Sequence, residues 1–214
     1  MAKEFVVRNY QESDRDSIRN IAYDTAFMGE SADLFFDGRE TLADFLTVYF
    51  TDYEPRSCFV AEMDGDVIGY LLGAKSEKRQ NVAFIRIIPR LIIKAFLKGT
   101  PFRIKNMKFS FHIFLSALRG EFNLPNCTKL YPALLHINVD KKYRGLGIGR
   151  KLIETYVDYL KRENITGVHL ITKSENAVNF FIKMGFEVFH KTRLSYLRYI
   201  LKRNIELYIL VRKL

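Results

Sequence analysis

Apolar and polar positions along this chain change period several times, and each change marks an element. Residues 4–10 (EFVVRNY) have the composition of a strand. Ser13 or Asp14 can cap a helix whose apolar positions are Ile18, Ile21 and Ala22, with Phe27 a further candidate. Residues 28–38 form a loop with unusual aromatic content, Phe35 and Phe36, and a second helix is predicted over about 40–50. Two apolar runs, 57–63 and 67–74, flank Asp64-Gly65, a strong hairpin signal. Residues 75–126 then interrupt the pattern. Two helices are predicted there, over about 81–97, with Pro89 kinking it or marking its first turn, and from about Pro101 to Arg119, capped by Thr100. Residues 134–139 read as a buried strand and 140–144 as a polar turn. Ile148, Leu152, Ile153, Tyr156, Val157 and Leu160 then fall at helical spacing. Residues 167–172 are the next strand. Residues 186–193 and 205–212 close the chain as two strands, expected antiparallel, with 195–203 between them.

The stretch that organises the rest is 134–164. It runs strand, glycine-rich turn (Arg144-Gly145-Leu146-Gly147-Ile148-Gly149), amphipathic helix. That order suits a pyrophosphate: glycines let the backbone approach an anion, and the first helical turn offers unpaired N–H groups and the positive end of its dipole. A Walker loop would need Gly-Lys-Ser/Thr, which Gly149-Arg150-Lys151 does not supply. The spacing of Gly145, Gly147 and Gly149 is wrong for the dinucleotide fingerprint. A second stretch, Ser174-Glu175-Asn176-Ala177 through Phe180-Phe181 to Gly185-Phe186, reads as a helix with Gly185 as its C-cap and Phe186 opening a strand.

The Arg-x-x-Gly-x-Gly pattern of 144–149 resembles the acetyl-CoA-binding motif of the GNAT N-acyltransferase superfamily. Residues 174–186 resemble that superfamily's second signature, one helix plus one strand further on. The resemblance is specific over 134–186, diffuse over the N-terminal third and absent from the 75–126 segment. It implies an α/β (α+β) fold in which helices flank a mixed, mostly antiparallel sheet of six or seven strands. The order β, α, α, β, β read before residue 75 begins in the same way. It further implies acetyl-CoA as acyl donor, an amine of a small molecule or peptide as acceptor, direct transfer in a ternary complex, and no metal. By the same carry-over, Arg144, Gly145, Leu146, Gly147, Ile148 and Gly149 hold the pyrophosphate. Ser174 and Asn176 meet the pantetheine arm. The strand before the loop parts from its neighbour, so that backbone near Val139, with Ile137, faces the thioester. Two positions depart from the pattern. Ser174 stands where the family often has Asn. Phe181 stands where it often has Tyr, the usual proton donor to the leaving thiolate, and a Phe cannot donate. That departure motivates an alternative, a CoA-binding or membrane-associated module without turnover.

Amide formation needs a polarised thioester and a base or water chain for the amine. His136 is the first candidate for the base, since it lies in the strand reaching the site and titrates near neutrality. Alternation puts His136 and Asn138 on one face of that strand and Leu135, Ile137 and Val139 on the other. The sequence does not say which face meets the acceptor. Asn138, Tyr143 and Glu30 are weaker candidates, and His112, His169 and His190 read as structural or surface residues. Cys127 has no His placed to activate it.

Composition adds three bounds. With 214 residues, 48% of them hydrophobic, the chain suits one domain over 1–214, with 76–126 as a helical insertion. Two distant cysteines, no secretory leader pattern and no run of 18 uncharged apolar residues favour a cytoplasmic protein, with peripheral attachment to a membrane left open. The net charge of +10 is localised: residues 78–120 hold ten Lys or Arg and no acid, which leaves the remainder neutral, with 24 residues of each sign. In the first predicted helix Arg86, Arg90, Lys94 and Lys98 form one stripe. Lys105, Lys108, His112 and Arg119 form another in the second, and the other faces are dense in Ile, Leu and Phe. Three readings compete. The helices form a lid over the acceptor site with their apolar faces buried on the domain. Or residues 78–119 lie on an anionic membrane. Or they contact nucleic acid, the weakest reading, because the aromatics sit on the apolar faces rather than beside the charges. A homodimer through the apolar faces is compatible with the lid.

Overall fold

The computed structural model describes residues 4–214. Seven strands form one sheet in the order β1-β2-β3-β4-β5-β7-β6. They are β1 (Val6–Asn9), β2 (Cys58–Met63), β3 (Asp66–Ala74), β4 (Ala133–Val139), β5 (Gly167–Thr172), β6 (Glu187–Leu194) and β7 (Ile205–Lys213). Every neighbouring pair is antiparallel except β4 and β5. The β2–β3 hairpin turns at Asp64-Gly65, both at positive φ as that dipeptide allows.

Buried apolar clusters cover both faces of the sheet, and the alternation of the strands sorts residues between the faces. On one face α5 (Ile148–Arg162) lays Leu152, Ile153, Tyr156 and Leu160 against Leu71, Leu135 and Val168. On the other, α1 (Arg15–Thr25) and α2 (Arg39–Tyr53) cover Val60, Tyr70 and Leu72 with Ile18, Ala22 and Tyr49. Ile18, Ile21 and Ala22 are buried as their spacing predicts, whereas Phe27 lies beyond the helix and packs with Phe35. Asp14 does not cap α1 with its side chain. Its carboxylate takes the Gln11 N–H and the Arg8 guanidinium instead.

After β5, α6 (Glu175–Lys183) ends in a Schellman turn. Gly185 has φ 80°, and the Phe186 N–H donates to the Phe181 carbonyl at 3.1 Å. A single helical turn, α7 (Arg198–Leu201), joins β6 to β7.

The insertion differs from its expected form. Its first helix, α3 (Glu77–Leu97), starts earlier, because Ser76 caps it by accepting the Arg79 N–H, and it runs through Pro89 as one element. Thr100 does not cap the second helix. It lies in a short 3-10 turn, and α4 (Ile104–Leu118) starts three residues later than expected. The larger difference is which faces turn inward. α3 meets α2 with Ile87, Leu91 and Ala95, and its Lys94 and Lys98 pair with Asp44 and Glu40 of α2. α4 turns Asn106, Phe109 and Ser116 to the domain. Much of the apolar surface of both helices is left in solvent, because the stripe next to the bases found acids to pair with.

Candidate active site

A cavity of about 750 Å³ opens where β4 and β5 part. These strands pair only at Ala133–Val168 and Leu134–His169, although β4 continues to Val139 and β5 to Thr172. The Asp140 N–H bonds to the Ile68 carbonyl of the neighbouring hairpin at 2.9 Å. Backbone groups alternate along a strand, so the N–H groups of Val139 and Ile137 point the other way, into the gap. The Val139 carbonyl already does so: it accepts from the Arg144 Nε at 3.2 Å.

The start of α5 forms one end of the cavity. Gly145 and Gly147 have φ of 86° and 82°, a region costly for residues bearing a Cβ. Gly147 is the N-cap, without a side chain to offer and with no acid in the first turn behind it. The first intrahelical bond runs from the Lys151 N–H to the Gly147 carbonyl, so the N–H groups of Ile148, Gly149 and Arg150 have no helical acceptor. Space is tight at Gly149: a Cβ there would stand 3.2 Å from the Phe180 ring. This is a donor cradle open to an anion.

Ile137, Val139, Arg144, Gly145, Gly147, Ile148, Gly149, Ser174, Asn176 and Phe181 all line the cavity. Leu146 does not: its side chain is exposed at the outer edge of the loop. The Ser174 oxygen caps α6 through the Ala177 N–H. Phe181 is buried against Phe180 and Phe186.

His136 and Asn138 face the side covered by α1 and α2, the face that also carries Tyr70 and Leu72. The Asn138 Nδ2 donates to the Tyr70 hydroxyl at 2.8 Å and lies 3.1 Å from the His136 Nε2. An amide nitrogen only donates, so Nε2 accepts and the ring carries its proton on Nδ1. Loss of water around the ring pushes its pKa down to about 4. Burial raises the Tyr70 hydroxyl, which stays protonated. His136, Asn138 and Tyr70 thus form a neutral polar string in an otherwise apolar wall.

Several lining residues come from places the sequence did not single out. Thr25, Ala26, Met28 and Gly29 follow or end α1, and Leu46 lies on α2. The Arg144 guanidinium reaches across to donate to the Gly29 carbonyl at 2.8 Å, tying the anion loop to this wall. Such contacts join residues far apart in the chain and have no local signal. Glu30 pairs with Lys141, which holds its carboxyl below the usual range. Cys127 is buried with its thiol raised by desolvation, His169 bonds the Tyr131 carbonyl, and His112 stacks on Tyr199. None of these three lines the cavity.

Residues 117–188 match the family model of the acetyltransferase (GNAT) domain. A probable serine/threonine-protein kinase of Dictyostelium discoideum is 30% identical over 76 residues, and the match spans 33% of this chain but 8% of that protein. Among solved structures, a Drosophila melanogaster polyamine N-acetyltransferase superposes with a TM-score of 0.63 at 16% identity, covering 99% of this chain and 100% of the other. The putative acetyltransferase yncA of Salmonella typhimurium, solved with acetyl-CoA, superposes with a TM-score of 0.56 at 16% identity, covering 98% and 93%. At these identities the likeness is one of fold.

Proposed function

We propose that this chain, which matches the acetyltransferase (GNAT) family model over residues 117–188, transfers an acetyl group from acetyl-CoA to the amine of a small molecule or peptide, directly and within a ternary complex. The observation that carries this reading is the meeting of two features in one cavity: the uncapped start of α5 and the parting of β4 from β5. The N–H groups of residues 145–150 take the diphosphate, with Arg144 and Arg150 adding charge. The pantetheine arm runs through the gap between the strands past Ser174 and Asn176. The backbone N–H of Val139 or Ile137 polarises the thioester carbonyl.

The neutral amine attacks the carbonyl carbon, and the new C–N bond leaves a positive nitrogen that has become a strong acid. His136 takes that proton on Nε2 once Asn138 turns aside. The C–S bond then breaks, and the proton passes to the departing sulfur, the task Phe181 cannot perform. A ring with a pKa near 4 suits this passage better than it suits deprotonating a free ammonium ion. The described lining includes Arg144, Arg150 and Lys173 but no Asp or Glu. With Arg144 and Arg150 given to the diphosphate, the lack of acids favours an acceptor with one amine on an uncharged body over a polyamine like that named for the Drosophila enzyme.

The test is calorimetry with acetyl-CoA followed by release of free CoA across a panel of amines. His136→Ala should lower kcat at least ten-fold and leave acetyl-CoA affinity unchanged, the loss expected when a proton-transfer group is removed. No heat with acetyl-CoA at high concentration would overturn the reading. Tight binding without CoA release from any amine would point to a CoA-binding module instead.

A further inference from the structure

The cavity absorbs the motifs but leaves the insertion without a task. No described lining residue comes from 75–126. Yet 13 of the 24 exposed large hydrophobic residues among those described lie between 82 and 118. On α4 the exposed Ile104, Met107, Phe111, Phe114 and Leu118 recur at intervals of three and four, which is one face of a helix. On α3 the exposed residues include Val82, Ile85, Ile92, Ile93 and Phe96. The rings of Phe96 and Phe102 meet at 5.6 Å and link the two surfaces at the turn between the helices. Single exposed apolar residues need no explanation; a patch of this extent does.

The charge beside the patch says what covers it. Lys94 and Lys105 are tied to Asp44 and Asp37 at 2.7 Å. Arg86, Arg90, Arg103 and Lys108 are exposed, and no described acid pairs with them. With the turn at 100° per residue, Arg86 and Arg90 border the outer face of α3, and Lys108 borders that of α4. A second copy would bring the same cations to the same face, with no acid between 78 and 120 in either chain to receive them. A surface that is apolar below and anionic above meets both features at once. No described helix is long and apolar enough to cross a bilayer.

We propose that α3 and α4 dock the protein in the plane of an anionic lipid bilayer, with the apolar face sunk among acyl chains and Arg86, Arg90, Arg103 and Lys108 at the headgroups. This is the geometry of interfacial amphipathic helices. The site stays open, because its cavity draws on other elements. The proposal does not rest on acetyl transfer, and calorimetry with acetyl-CoA reports on that reading separately.

The experiment is flotation of the full chain with vesicles of phosphatidylcholine alone or mixed with phosphatidylglycerol, at 50 and 500 mM salt. Binding is expected to the anionic vesicles at low salt, and to fall at least ten-fold at high salt. Each cation near the surface contributes on the order of five-fold, so Arg86→Glu with Arg90→Glu should weaken binding by more than ten-fold. Phe111→Ser with Phe114→Ser should do likewise. All four side chains are exposed, so unchanged thermal unfolding should accompany the losses. Absence of binding to the anionic vesicles at 50 mM salt would overturn the proposal, as would binding indifferent to both pairs of substitutions. A concentration-dependent dimer that the Phe pair abolishes, with no vesicle binding, would assign the face to a second copy.

Discussion

His136 shows how much a single residue's surroundings decide. Its folded pKa of about 4 lies below the ordinary 6.5. Between those values the unfolded chain takes up a proton that the folded chain refuses. The group's contribution is therefore intact above pH 6.5 and is lost as the pH falls toward 4. His136→Gln removes that loss. Chemical denaturation at pH 7 and pH 5 should show the variant losing less stability than the parent over this interval. An equal loss in both would contradict a ring held neutral in the fold. Strand periodicity put His136 beside Asn138, and β4 does carry them on one face. Tyr70, the third member of the string, could not be found that way, because it reaches Asn138 through pairing with β3. Gly145 and Gly147 were legible for the opposite reason: positive φ excludes most other residues locally, so the requirement is written at the position itself.

At the scale of elements, period and punctuation carried most of the information. The hairpin at Asp64-Gly65, the six inward positions of α5 and the Gly185 cap of α6 all follow from spacings within a dozen residues. The insertion was left with competing readings because period identifies the stripes on a helix but not which stripe packs. On α3 and α4 the outcome depended on acids in other elements, Glu40, Asp44 and Asp37, that draw the lysines inward. A second non-local constraint joins β3 to α5. Tyr156 lies wholly buried over Gly73, and the single proton of its hydroxyl is shared between the Leu134 carbonyl at 2.9 Å and the Ala74 carbonyl at 3.2 Å. A Cβ on residue 73 would stand 2.3 Å from the Tyr156 ring. Gly73→Ala should therefore destabilise the protein by about 1–3 kcal/mol, the usual cost of overpacking a close-packed interior. Equilibrium denaturation measures this directly. A neutral result would mean that α5 rides on the sheet less tightly than the contact implies.

For the whole molecule, the cavity is where separate parts of the fold converge: the end of α1, β4, the loop before α5, the end of β5 and the start of α6. β4 and β5 share only two paired positions, so the sheet is weakest where the cavity opens, and Arg144 spans the opening to Gly29. A ligand held by all of these parts at once binds only the folded chain and should stabilise it as a unit. At a concentration 100 times its dissociation constant, acetyl-CoA would add about 2.7 kcal/mol. For a domain of this size that corresponds to a rise in Tm of roughly 5–10 °C. Gly147→Ala tests whether the α5 start is the point of purchase. Nothing lies within 4 Å of the added Cβ, so the change strains the backbone, by about 1–2 kcal/mol, without a clash. The variant should melt somewhat earlier on its own. At the same acetyl-CoA concentration it should recover less than the parent gains, because the displaced loop no longer aims its amides at the diphosphate. A full gain in the variant would separate anion binding from this loop and send the search for the coenzyme elsewhere in the cavity.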